Sequence, residues 1–160
     1  MTDTLRSICE QSIQLNNPPL DFIPAGSTRH KEIILRDLKE LVSAAFAEQE
    51  KTVVVLAGSI LEAVLHGFIQ GQASYIAARR GAFQFNPELG LEDYKNIFNR
   101  WFSDVLPGVV LPDYVADYRN LIHINRELNS PLDICSRASR EMLRILESLL
   151  NEFSQFASPS

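Results

Sequence analysis

Residues 52–70 read TVVVLAGSILEAVLHGFIQ, and this stretch decides the fold class. Val54, Leu56, Ile60, Leu61, Val64, Leu65 and Phe68 place apolar side chains on most sides of a helix, the pattern of the central member of a bundle. The run from Val53 to Ile69 approaches membrane-spanning length. It also contains Ser59, Glu62 and His66, and a carboxylate at bilayer mid-depth is costly. The stretch therefore reads as a buried core helix, with Gly58 leaving room for a neighbour.

Helical spacing continues on both sides. Upstream, a helix begins near Ser27 or Thr28, either of which can cap, and carries Ile34, Leu38, Leu41, Val42 and Ala45 on one face. Downstream, Ser74 to Arg80 reads as a short helix, and Gly81 to Pro87 as a connection anchored by Phe83 and Phe85. A third helix starts at Leu91 with an aromatic stripe (Tyr94, Ile97, Phe98, Trp101, Phe102, Val105) that Pro107-Gly108 ends. A helix from Asp113 to about Glu127 turns Val115, Tyr118, Leu121 and Ile122 inward. In the last, Ser130 is the N-cap, Pro131 the first helical position and Asp133 a carboxylate facing the dipole, ahead of Ile134, Ala138, Met142, Ile145, Leu146, Leu149 and Phe153.

No period-two alternation of strand length occurs. The expectation is an all-α chain: a four-helix up-and-down bundle with short extra helices. An N-terminal arm occupies residues 1–26, where Leu5, Ile8, Ile13 and Leu15 suggest a short amphipathic helix over 5–15 and Asn17-Pro18-Pro19 and Pro24-Ala25-Gly26 break the pattern. The bundle domain follows over 27–156, with a frayed tail at 157–160. The arm is expected to stand outside the core.

With 46% hydrophobic and 22% charged residues the composition is globular. A single domain of 160 residues is long enough for one core. Cys9 and Cys135 form no metal-ligand spacing, and no signal-like leader opens the chain, so a reducing cytoplasm is the expected compartment. A net charge of −5 argues against coating nucleic acid through the overall field, yet residues 119–144 hold five arginines against three carboxylates. Arginine outnumbers lysine eleven to four. Such a run suits bidentate phosphate contacts at Arg126, Arg137 and Arg140, and equally suits ion pairs on a helix surface.

The one stretch with chemistry is Tyr118-Arg119-Asn120-Leu121-Ile122-His123. Arg119 and His123 are four residues apart and project from one helix face, with Asn120 about 100° around. A fixed cation beside an imidazole suits phosphodiester chemistry: His123 moves a proton on or off an RNA 2′-hydroxyl or leaving oxygen, and Arg119 stabilises phosphorane charge. The structural alternative is an arginine paired with a carboxylate and a half-buried, satisfied histidine. Ser59, Glu62 and His66 form a polar stripe on the central helix, and Glu62 is the expected partner of Arg119, either orienting it for chemistry or bridging two helices. His30 and His66 lack companions at a metal spacing, and no phosphate loop, zinc-protease helix or nucleophile elbow is present, so neither a metal nor a cofactor is expected.

The segment Asp117 to His123, following an apolar helix with Ala57-Gly58-Ser59-Ile60-Leu61-Glu62-Ala63, resembles the HEPN-type helical domains of prokaryotic defence and toxin-antitoxin systems, over roughly residues 31–153. This chain is a short-spaced Arg-Asn-x-x-His variant. The resemblance implies a four-helix bundle, often dimerised, in which Arg119, Asn120 and His123 form a metal-independent endoribonuclease site supported by Tyr118 and Glu62. It also implies RNA as the ligand, while the carboxylate within the apolar run argues against a membrane. Other members have lost catalysis and act as binding modules, so a non-catalytic dimerisation or protein-interaction module, with a partner encoded elsewhere, is the alternative.

Overall fold

The computed structural model describes residues 4–81, 83–109, 111–119 and 134–156, and the side chains at 118, 119, 134 and 135 lie outside that description. Within these residues the chain is all-helical, with no strand among them. The helices are α1 (Leu5–Glu10), α2 (Ile13–Asn16), α3 (Thr28–Phe46), α4 (Glu50–Gly71), α5 (Ala73–Arg80), α6 (Leu91–Trp101), α7 (Tyr114–Arg119) and α8 (Ile134–Gln155). The expected cap and first turn of the last helix, Ser130, Pro131 and Asp133, lie outside the described residues.

α4 is the helix whose sequence is apolar on most sides, and α3, α6, α7 and α8 all pack against it. Val53, Val54, Ala57, Ile60, Leu61, Val64, Leu65, Phe68 and Ile69 are buried. By length and composition alone α4 could cross a membrane, but 61% of its apolar window is buried among the other helices, as in a core helix. The amphipathic neighbours supply the cover: Ile34, Leu38, Leu41 and Ala45 from α3, and Ala138, Met142, Leu146, Leu149 and Phe153 from α8 are buried as their spacing predicts. α6 ends at Trp101, six residues before Pro107, and Phe102, Leu106 and Val109 continue the core from a run of turns.

One aromatic cluster joins these layers. The Phe68 ring stacks on Phe153 of α8 with centroids 3.8 Å apart, and Phe102, Phe156 and Phe22 meet it edge-on at 5.0, 5.6 and 6.2 Å. Such pairs add about 0.5–1.5 kcal/mol each beyond the burial of their area.

The N-terminal segment departs from expectation. Leu5, Ile8, Cys9, Leu15, Leu20 and Ile23 are core residues, and α1 and α2 rest against α3 and α8. Instead of one helix over 5–15 there are two, because buried Ser12 accepts a hydrogen bond from Leu15 N (3.1 Å) and starts a new helix. The restart changes the helical phase, so Ile13 is 82% exposed while Leu15 is fully buried. The connection to α3 then lies against α4 where two glycines admit it. A Cβ at Gly67 would press on the Ile23 side chain, and one at Gly71 would run into the Phe22 carbonyl.

Gly71→Ala is expected to destabilise the protein by about 1–3 kcal/mol, because a backbone carbonyl cannot yield as a flexible side chain does. Urea denaturation measures this as a lower midpoint, and a midpoint at or above that of the unaltered protein would contradict this seating of residues 22–24.

Candidate functional site

The helix that carries the Tyr118-Arg119 end of the motif is fastened at its entrance. Lys95 of α6, 1% exposed, extends its Nζ to Asp113 Oδ1 (3.2 Å) and Glu92 Oε1 (3.1 Å), and Asn99 donates to the Leu111 carbonyl at 3.5 Å. Burial pulls the Lys95 ammonium down, but the two carboxylates outweigh it and leave its pKa raised, so it stays charged. Val115 N then closes the first turn on the Pro112 carbonyl at 3.2 Å, and the Val115 side chain is fully buried, the inward orientation its spacing predicts. Arg119 is the last described residue of α7. Asn120, His123 and Arg126 lie outside the described residues, as do the side chains of Tyr118 and Arg119.

α7 also meets α8 at its first turn. The Tyr114 phenol is raised by burial and by the charge of the Glu141 carboxylate, which accepts its hydrogen bond, with Arg137 opposing. Arg137 is exposed beside it. Arg140 is differently placed, its side chain 18% exposed: its Nη1 donates to the Ser136 carbonyl (2.8 Å) and Oγ (2.6 Å) and lies 3.7 Å from Glu50 Oε1. Arg140 therefore ties α8 to the start of α4, whereas Arg137 faces solvent near the motif helix.

The polar stripe of α4 reaches a second constellation that sequence spacing could not foresee. Ser59 is exposed, and Glu62 and His66 are half-buried. His66 stacks on His30 of α3 with ring centroids 4.6 Å apart and planes 24° apart, while Phe85 and Tyr94 present edges at 4.8 and 5.6 Å. His30 Nε2 lies 2.7 Å from the Ala63 carbonyl, and since a carbonyl only accepts, that nitrogen carries the proton. His66 Nδ1 is buried without a hydrogen-bond partner among the described residues. Burial, then the neighbouring His30, holds the His66 pKa below its ordinary value, so the imidazole is neutral at pH 7.

Glu62 belongs to this group through Tyr94. Burial raises the Tyr94 phenol, and the Glu62 and Asp93 carboxylates add to this against a backbone hydrogen bond from Leu89. Tyr94 itself donates to the Asn86 carbonyl at 2.9 Å. No third His, Cys, Asp or Glu joins the two histidines in a metal-holding group among the described residues. The pair is therefore read as a packed imidazole stack.

A separate cleft of about 570 Å³ lies between the N-terminal helices and α8, lined by Gln11, Gln14, Arg144, Glu147 and Asn151 among others. Beneath it, burial and then Glu147 push the Cys9 thiol up to about 11, which keeps it protonated and unreactive. Compared with family models, curated proteins and solved structures, the chain matches none of them.

The histidine stack makes stability depend on pH. Above the ordinary imidazole value of 6.5 His66 is neutral in both folded and unfolded chains, so it adds no pH dependence there. As pH falls below about 6.5, the unfolded chain takes up this proton more readily, and stability declines. Urea midpoints followed from about pH 7.5 to 5 are expected to fall less steeply for His66→Phe than for the unaltered protein. Parallel slopes would show that His66 is not the group responsible.

Proposed function

We propose that the chain is a HEPN-like four-helix up-and-down bundle that acts on RNA in a reducing cytoplasm, as a homodimer pairing two motif helices across a cleft. The observation that carries this reading is the placement of α7. α7, described as far as Arg119, packs on α4, the helix of Glu62, and its first turn lies beside exposed Arg137 of α8. The helix that leads into the one segment whose sequence suits phosphodiester chemistry thus rests on α4, and its first turn stands beside an arginine of α8.

In this mechanism Arg119 holds the scissile phosphate and stabilises the phosphorane, with Asn120 as a further donor. His123 accepts the proton of the RNA 2′-hydroxyl as that oxygen bonds to phosphorus. The bond from phosphorus to the 5′-oxygen then breaks, and that oxygen receives a proton. The products are a cyclic 2′,3′-phosphate and a 5′-hydroxyl, with no change in redox state and no metal required. Arg137 supplies an additional phosphate contact, and Arg126 is a further candidate.

A second reading has an observation of its own. Arg140, one of the arginines in the basic run, is committed to Glu50 and Ser136, so part of the run serves packing. If Arg119 does the same with Glu62, the domain is a non-catalytic module for dimerisation or for a protein partner encoded elsewhere.

Incubation of the purified protein with structured RNA in EDTA distinguishes the two. The first reading expects cleavage leaving cyclic phosphate ends, reduced at least 100-fold in His123→Ala, in line with the loss of a general acid or base. Absence of cleavage, or equal cleavage by His123→Ala, rejects catalysis. The second reading instead expects Arg119→Ala to lower the urea midpoint by removing a partner of the half-buried Glu62 carboxylate.

A further inference from the structure

The C-terminal turns of α5 and α6 bring together three arginines and two aromatic rings. Arg80 and Arg100 both lie over the Trp101 ring, their guanidinium carbons 5.9 and 5.2 Å from its centroid. Arg79 lies 5.3 Å over Tyr75, donates to the Trp101 carbonyl at 3.2 Å and reaches Asp104 at 3.3 Å. Trp101 and Tyr75 are half-buried and lean on the core, while all three arginines are exposed.

Arg80 and Arg100 make no ion pair with the described residues. Three guanidinium groups against the one Asp104 carboxylate leave a local charge of +2 on a chain whose net charge is −5. Each guanidinium carbon lies within cation–π range of an aromatic ring, an attraction that reduces its freedom, and all three arginines keep exposed surface. Forked donors of this kind fit phosphodiester oxygens, and a guanidinium or aromatic plane also accepts an unstacked base. A duplex offers phosphates but keeps its bases stacked, so the mixed chemistry of the patch favours a single strand.

We infer that Arg80, Arg100 and Trp101, with Arg79 and Tyr75 beside them, form a binding surface for single-stranded RNA. The inference rests on the reading that the chain acts on RNA, and assigns it a contact surface on helices other than the motif-bearing α7. In use, the patch holds the phosphate backbone of an unpaired segment and raises substrate affinity without taking part in bond cleavage.

Trp101 is the chain's one tryptophan, so its emission reports on this surface directly. The probe is an unstructured 12-nucleotide RNA titrated into full-length His123→Ala protein in EDTA, which keeps the RNA intact. A saturable change in Trp101 emission is expected, weakening with added salt. R80E/R100E is expected to lower affinity at least tenfold, measured with labelled RNA, while R80K/R100K loses less. Both substitutions are at exposed positions, so an unchanged melting temperature verifies the fold.

Affinity within twofold of the parent in R80E/R100E overturns the inference, as does equal binding of polyglutamate of matched charge, which would mark a surface for acidic protein. Cleavage assays separate this outcome from the broader reading. RNA cleavage with an unchanged KM in R80E/R100E rejects the patch and leaves the nuclease intact. Trp101-reported RNA binding that R80E/R100E abolishes, in a protein that never cleaves, upholds the patch and rejects catalysis.

Discussion

Phe68 is the point at which the layers of the fold meet. Its ring lies face to face with Phe153 of α8, edge-on to Phe102 beyond α6 and Phe156 at the end of α8, and edge-on to Phe22 of the N-terminal segment. A helix that is apolar on most sides needs cover from several directions, and Phe68 is where three other parts of the chain supply it at once. The placement of α7 depends on the same packing. α4 is the surface on which α7 rests, and α6, braced through Phe98 and Phe102 against Phe68, carries the Lys95 ammonium that fastens Asp113 ahead of it.

Much of this was legible in the sequence because it is periodic. The 3.6-residue repeats of α3 and α8 predict most of their buried faces, although Val42 and Ile145 are only half-buried and Ala44, Leu143 and Leu150 join the core beside them. Phe83 and Phe85 anchor the connection before α6 as expected. Periodicity fails where the phase changes. In the N-terminal segment a repeat carried through Ile13 assigns the wrong inward residue, since the Ser12 cap restarts the helix. The two prolines at 18 and 19 argue for an exposed arm, yet Pro18 is buried and Leu20 and Ile23 continue into the core. Short helices tied down by long-range burial leave a weak local signal.

For the site, the sequence speaks within helices and is silent between them. Arg119 and His123 are recognisable as a same-face pair only because four residues separate them. The polar stripe of Glu62 and His66 is readable on the same ground. His30 and His66 are 36 residues apart on different helices, and no spacing rule joins them. Lys95 is harder still, since lysine is almost never fully buried without a partner. Its partners are Glu92, one helical turn back, and Asp113 across a connection. A clue was available at Gly67: a glycine in a core helix marks a place where another side chain approaches closely, and here that side chain is Ile23, with His30 next to it.

The seat of the N-terminal helices also bears on the order in which the chain assembles. Residues 5–16 are synthesised well before residues 134–155, yet α1 and α2 rest on α8, and Gln14 reaches Asn151 across 137 positions of sequence. Two helices of six and four residues are far too short to hold their shape alone. Their contacts with α3 form between neighbouring segments, whereas their seat on α8 waits for the last helix and closes a loop spanning most of the chain, a slow and late event. Leu5, Ile8 and Leu15 are meanwhile exposed apolar side chains on a nascent chain, so the segment that completes the core is also the one most in need of protection during synthesis.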